Sequence, residues 1–266
     1  MFHADSLFDL GDYTHAALFS PTEPVWSALQ SLKSYMDGYH YSHTAFAELS
    51  DGTPLSESVV LHHGKRYSAS ECSIEYGDAC KGTLVITRAG NRLNGASLIM
   101  AGAILMGQRI ALGNGSLIEG GATIKEPAII GDCTEIRQGA YMRGYCLVGD
   151  RCVVGHSTEV KHSIFLNDAK AGHFAYLGDS ILGNKANLGA GTKCANLKFI
   201  SGNIKILYKS KWYDTGLRKF GAILGDKTQT GCNSVTNPGT IIGDGGMLMP
   251  NTTAPSGYHG DKKIIR

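Results

Sequence analysis

A histidine, a tyrosine, two lysines and two asparagines crowd into KAGHFAYLGDSILGNKANLGAG, residues 170–191, a run otherwise apolar and punctuated by glycine. Either these are ordinary polar side chains on the outside of a repetitive scaffold, or they line a site. An imidazole neutral near pH 7, such as that of His173, suits removal of a proton from an attacking amine. Upstream, Arg143 and Lys161 lie 18 residues apart, and convergent cations suit phosphate oxygens. The plainer readings stand beside these: a solvated turn histidine and surface charges that keep the molecule soluble.

The elements that must position these groups follow a six-residue ruler. Stepping by six from Leu112, the chain reads Leu112, Ile118, Ile124, Ile130, Ile136, Met142, Val148, Val154 and Val160. Four residues after each of the first eight comes a small residue: Ser116, Ala122, Ala128, Thr134, Ala140, Cys146, Cys152 and Thr158. A period of six fits short strands joined by tight turns, each with one large and one small inward side chain. Three such segments make a triangular coil, and coils stack about 4.8 Å apart. Arg143 and Lys161 are one coil apart, so they are expected one above the other on the same edge. Cys146 and Cys152 fall in the small slot and read as packing residues.

After Val160 the ruler slips to five residues at Phe165, runs through Ala171 and Leu177, and slips again to Leu182, Leu188 and Cys194. A polar, aromatic excursion at 198–220 reads as an inserted loop, with alternation in NIKILYKSKWYDTG suiting a hairpin. The ruler resumes at Leu224, Thr230, Thr236, Ile242 and Leu248. Before Leu112 the pattern is weaker. Residues 22–37 read as one amphipathic helix with Val25, Leu29, Leu32 and Met36 on a face, Thr22 as N-cap and Gly38 at its end. The expected organisation is a helix and irregular segment at 1–70, a β-helix at 71–250, and a basic C-terminal tail at 251–266.

Composition agrees with many tight turns. Glycine supplies 35 of 266 residues and proline 7, against 42% hydrophobic and 8% aromatic residues. A net charge of +2 argues against a nucleic-acid binder, which carries a concentrated basic face. No run of about 18 apolar residues marks a membrane span. The N-terminus lacks the pattern of a signal peptide. Seven cysteines, with no C-x-x-C pair, fit reduced thiols in a cytoplasm, which is the expected location.

The ruler resembles that of the hexapeptide-repeat proteins. That likeness implies an all-β, left-handed parallel β-helix and a homotrimer. Residues 130–243 more specifically resemble the acetyltransferase half of the bifunctional N-acetylglucosamine-1-phosphate uridyltransferase/glucosamine-1-phosphate acetyltransferases, above all in KAGHFAYLGD and KFGAILGD. The resemblance implies His173 as general base. It places sugar-phosphate contacts on Arg143 in YMRG, Lys161 in EVKH, Tyr176 in AYLGD, Asn187 in ANLGAG and Lys219 in RKFG. Acetyl-CoA contacts fall on Ala190 and on Asn196 in CANL, and a serine of the donor side is replaced by Cys232. Leu197 stands where the family has an aromatic, and the 201–220 excursion is longer than the family's loop. No L-x-x-G-x-G-T-R motif for the uridyltransferase half is present. The chain is also similar to stand-alone sugar-nucleotide pyrophosphorylase-like relatives.

The implied activity is transfer of an acetyl group from acetyl-CoA to the amine of glucosamine 1-phosphate. The thioester is already activated, so no covalent acyl-enzyme and no metal are expected. An N–H of the turn Gly189-Ala190-Gly191 would stabilise the oxyanion. Tyr176 equally reads as a packing residue, Asn187 as part of an asparagine ladder, and Lys219 as a solvated loop cation. The second reading is a non-catalytic sugar-nucleotide-binding module that partners a separate nucleotidyltransferase. A third, a carbonic anhydrase-type metal site, would draw on His156 and His162.

Overall fold

The computed structural model describes residues 2–41, 48–49 and 51–266. Part of the expected irregular segment, at 42–47 and 50, lies outside the described residues. The described residues form an all-β prism of three largely parallel sheets, with one α-helix and an inserted hairpin. Two of the sheets are extended at one end by the antiparallel strands Asp51–Pro54, Val59–His62 and Lys65–Ser68. The first face runs from Ser97–Ile99 to Ile264–Ile265, the second from Ile104–Met106 to Thr253–Ala254, and the third from Ile110–Leu112 to Gly257–His259.

Rung register follows the ruler. Ile118 pairs with Ile136 and Ile136 with Val154, coils of 18 residues. Val154 then pairs with Ala171 and Ala171 with Leu188, coils of 17. The missing residue is lost at the corner between the second and third faces. In the longer coil Gly144 and Tyr145 both turn there with positive φ; in the shorter ones His162 (φ 46°) and Asp179 (φ 49°) turn it alone. The large ruler residues from Ile118 to Leu224 fill the axis with at most 3% exposure, and the small slots Ser116, Ala122, Ala128 and Thr134 are equally closed. At roughly 25 cal/mol per Å² of apolar surface, this stack is the main stabilising term.

The termini differ from the expectation. The parallel stack begins at Ser97, not at 71; residues Cys72–Glu75, Val85–Arg88 and Asn91–Arg92 form a separate antiparallel sheet. Residues 251–266 are not a tail. Thr253–Ala254, Gly257–His259 and Ile264–Ile265 complete the last coil, the small and apolar Ala254 and Ile265 being buried in the core. The helix spans Ser27–Asp37 and ends at Gly38 as expected, with Leu29, Leu32 and Met36 buried. Thr22 does not cap it: Trp26 is the N-cap residue, and the Thr22 N–H donates to Ser20 Oγ.

That helix and the segment before it cover the third face. Phe2, Phe8, Phe19, Trp26, Leu29 and Leu32 pack with the outward side chains Ile129, Leu147, Ile164, Ile181, Ile223 and Ile241. The inserted hairpin, Lys205–Tyr208 with Lys211–Asp214, turns through Lys209 and Ser210, both at positive φ, as a two-residue hairpin turn requires. Its neck closes where Leu197 bridges Lys219 and the Phe220 N–H donates to the Asn196 carbonyl at 3.0 Å.

Candidate functional site

The residues singled out from the sequence divide between two faces. On the first, His173 closes the strand Lys170–His173, and Asn187 opens Asn187–Leu188 on the next rung. With Ala190 and Cys232 they line a cavity of about 410 Å³. Gly172 and Gly189 line it too. A Cβ on Gly189 would lie 2.5 Å from the Gly231 carbonyl carbon of the next rung, so only glycine permits this stacking. The cavity is walled at one end by Asp78, Cys80 and Lys81 of the accessory segment, where the Cys80 N–H donates to the buried Glu135 carboxylate at 3.0 Å. Arg137 and Lys170 complete it. Asp78, Cys80, Lys81 and Arg137 were not singled out beforehand, because nothing in a local motif places residue 80 beside residue 173. Lys170 lay in the opening stretch but was given no role.

His173 is exposed and stacks in register below His156. The His156 ring meets that of Phe174 edge-on at 5.3 Å and its Nδ1 lies 2.9 Å from the Gln138 carbonyl. In the adjacent turn, the Gly189 N–H donates to Thr230 and the Gly191 N–H to the His173 carbonyl at 2.9 Å. Cys232 is exposed in the cavity, whereas Cys146 and Cys152 are buried packing residues as expected. Burial pushes the Cys146 thiol up to about 12.

The second face carries Arg143, Lys161, Tyr176 and Asn196. Tyr141 pairs with Glu159 and Met142 with Val160, so Arg143 stands directly above Lys161, as the 18-residue spacing requires. Both cations are already held: Arg143 by Glu159 at 2.6 Å and Lys161 by Asp179 at 3.3 Å. Asp179 also accepts from His162 Nδ1 at 2.9 Å and from Asn196 Nδ2 at 2.5 Å. Burial works to raise its carboxyl, yet the donors from His162, Asn196 and Lys161 prevail and hold it below the ordinary value. The Tyr176 hydroxyl lies 3.4 Å from Asn196 Oδ1.

Asp179 was missed and His162 was weighed only for a metal, although a signal for this pairing existed. Once the ruler shortens, a step of 17 from Tyr145 lands on His162, Asp179 and Asn196. Lys219 sits apart at the loop neck, exposed. Asn187 belongs to no ladder. The corner ladder instead runs through Asn114, Asp132, Asp150, Asn167, Asn184 and Asp226, each side chain accepting from the backbone N–H of the member before it. His156 and His162 occupy different corners, so they form no pair for a metal. Among the described residues no group of three or more histidine, cysteine, aspartate or glutamate side chains is placed to hold one.

Residues 124–248 match the family model described as the GMPPB C-terminal domain, a span that contains every residue named above from Arg143 to Cys232. The chain is 34% identical over 157 residues to a bifunctional sugar-1-phosphate nucleotidylyltransferase/acetyltransferase of Sulfurisphaera tokodaii, covering 52% of this chain and 38% of that protein. It is 38% identical over 104 residues to the bifunctional protein GlmU of Methanocaldococcus jannaschii, covering 39% and 25%. With GlmU of a Nostoc species it shares 30% identity over 190 residues, 68% of this chain and 37% of that one. The matches thus span about a quarter to two fifths of those relatives. Among solved structures, Francisella novicida UDP-N-acetylglucosamine acyltransferase is similar at 12% identity and a TM-score of 0.36, over 59% of this chain and 58% of that one. A likeness at that level does not bear on function. No helix among the described residues is long and apolar enough to cross a membrane.

Proposed function

We propose that the chain is an acyltransferase that moves an acetyl group from acetyl-CoA to the amine of a hexosamine 1-phosphate, glucosamine 1-phosphate first among them, at a seam between copies of itself in a homotrimer. The observation that carries this reading is the division of the site. His173 with Asn187, Ala190 and Cys232 lies on the first face, and Arg143, Lys161 and Tyr176 on the second, while the third is covered by the chain's own N-terminal segment. Neither half-site does the chemistry alone. A second copy whose second face meets this first face would bring a cationic cradle opposite the imidazole.

In that arrangement His173 accepts the proton of the amine as it attacks the thioester carbonyl. Collapse of the tetrahedral intermediate breaks the C–S bond, and the CoA thiolate leaves as the thiol on taking that proton back from the imidazolium. Two N–H groups of the turn are committed to rung bonds, which leaves that of Ala190 for the oxyanion. The glycine-lined trough offers a path for an extended acyl donor beside Cys232, whereas Asn196, expected to contact the donor, lies on the second face against Asp179. Relatives that carry both a nucleotidylyltransferase and an acetyltransferase name support the reaction class. The expected location is the cytoplasm, and no metal is required for the step.

Release of free CoA thiol on mixing the protein with acetyl-CoA and glucosamine 1-phosphate tests the reading. Thiol release dependent on the amino sugar is expected. If no amino- or hydroxy-sugar phosphate elicits it while the protein still binds one, the chain is the non-catalytic binding module instead.

A further inference from the structure

We infer that Asp179 is a positioning residue, which fixes the phosphate-side Lys161 and Asn196 at the neck of the insertion in one network; this rests on the acyl-transfer reading of the two half-sites. Its side chain is 8% exposed, and such a carboxylate is costly to bury unless its oxygens are satisfied. Here Oδ1 accepts from His162 Nδ1 and Oδ2 from Asn196 Nδ2, with Lys161 Nζ at 3.4 and 3.3 Å from the two oxygens. The backbone is committed as well: the Asp179 N–H donates to the Lys161 carbonyl at 3.0 Å, and its own carbonyl accepts from Gly221 at 2.9 Å. Gly221 is where the chain re-enters the prism after the inserted loop, and Asn196 is where it leaves. One residue therefore ties the rung of the phosphate lysine to the neck of the insertion.

Room for this network is built in. A Cβ on Gly178 would approach the Tyr176 hydroxyl oxygen to 2.6 Å and collide with Asn196 Nδ2. A lysine ammonium on a four-carbon stem samples many rotamers, and a buried acceptor below it selects one. Two effects of Asp179 on an anion oppose each other. Its charge repels the anion, whereas its hydrogen bonds hold Lys161 and Asn196 in place. Charge alone predicts tighter phosphate binding when Asp179 is neutralised; positioning predicts weaker binding.

Calorimetric titration of glucosamine 1-phosphate into the full chain decides between them, using wild type, Asp179→Asn, Lys161→Ala and the double variant, each checked for an intact melting transition. Asp179→Asn and Lys161→Ala are each expected to raise Kd about tenfold, since each removes a charge-assisted bond. The double variant is expected to bind no more weakly than the weaker single, because the two act through one contact. Unchanged or tighter binding by Asp179→Asn, or two effects that multiply, overturns the proposal. If Asp179→Asn does not fold, Asp179→Glu, which keeps the charge but displaces it by one methylene, is judged by the same criteria. A wild type that binds the sugar phosphate yet releases no CoA sinks the acyl-transfer reading and leaves this cycle valid. A wild type that binds no sugar phosphate overturns both.

Discussion

At the scale of single residues, inward and outward positions were not equally legible. The inward set repeats at fixed spacing, so Ile136, Val154 and Cys152 could be placed from their neighbours alone. Outward chemistry depends on what lies on the next rung. Lys161 and Asn196 looked like free ligand contacts until Asp179 was found between them. His173, by contrast, is exposed on the cavity wall, open to the substrate the proposed mechanism requires. Replacing it by alanine is expected to lower turnover by about 10²-fold or more, the usual worth of general-base assistance. Sugar-phosphate affinity, measured by titration, stays nearly unchanged because the cationic cradle lies on the other face. Turnover close to wild type would remove the imidazole from the mechanism.

At the scale of elements, the slips to five residues were visible in the sequence, and the structure gives their cause as a corner shortened by one residue. The cover on the third face was not foreseen, although it had a signature. The third-face strands Ala128–Ile130, Cys146–Val148 and Ala222–Leu224 are apolar throughout, whereas the second-face strands Thr123–Lys125 and Glu159–Lys161 alternate with charge. A strand apolar on both sides is covered on both sides. The N-terminal helix supplies that cover, with Leu32 fully buried at 0% exposure. Leu32→Ala is expected to cost about 2–5 kcal/mol, as truncations in closed cores do, and to lower the melting temperature. A change within about 0.5 kcal/mol, as for a surface substitution, would show that the cover is loosely held.

At the scale of the whole molecule, the proposed reading assigns complementary halves of one site to the first and second faces, the first being covered in part where Val60, Ala79 and Ile86 pack on Leu98 and Leu117. The proposed assembly therefore makes a prediction that no isolated protomer could meet. Assayed at a sugar-phosphate concentration below the wild-type Kd, His173→Ala and Lys161→Ala are each expected to fall well below wild-type activity alone. Mixed under conditions that exchange subunits, they should regain activity, because some seams then pair an intact imidazole with an intact cradle. Recovery is read by CoA release after mixing, and sedimentation establishes the trimer independently. Exchange without any recovery would place both residues in one protomer's site or in none.

The sequence by itself determined the coil, its inward residues, the two slips, the inserted hairpin and the stacking of Arg143 on Lys161. All of these follow from a period that repeats along the chain. Only the tertiary structure decided that the last sixteen residues close the prism, that residues 78–81 wall the cavity beside His173, and that a buried carboxylate joins Lys161 to Asn196. The wall depends on contact between segments that share no period, so spacing carries no information about it. Ala254 and Asp179 do lie on the repeat, six after Leu248 and 17 before Asn196, but only the pairing of the rungs shows what their side chains meet.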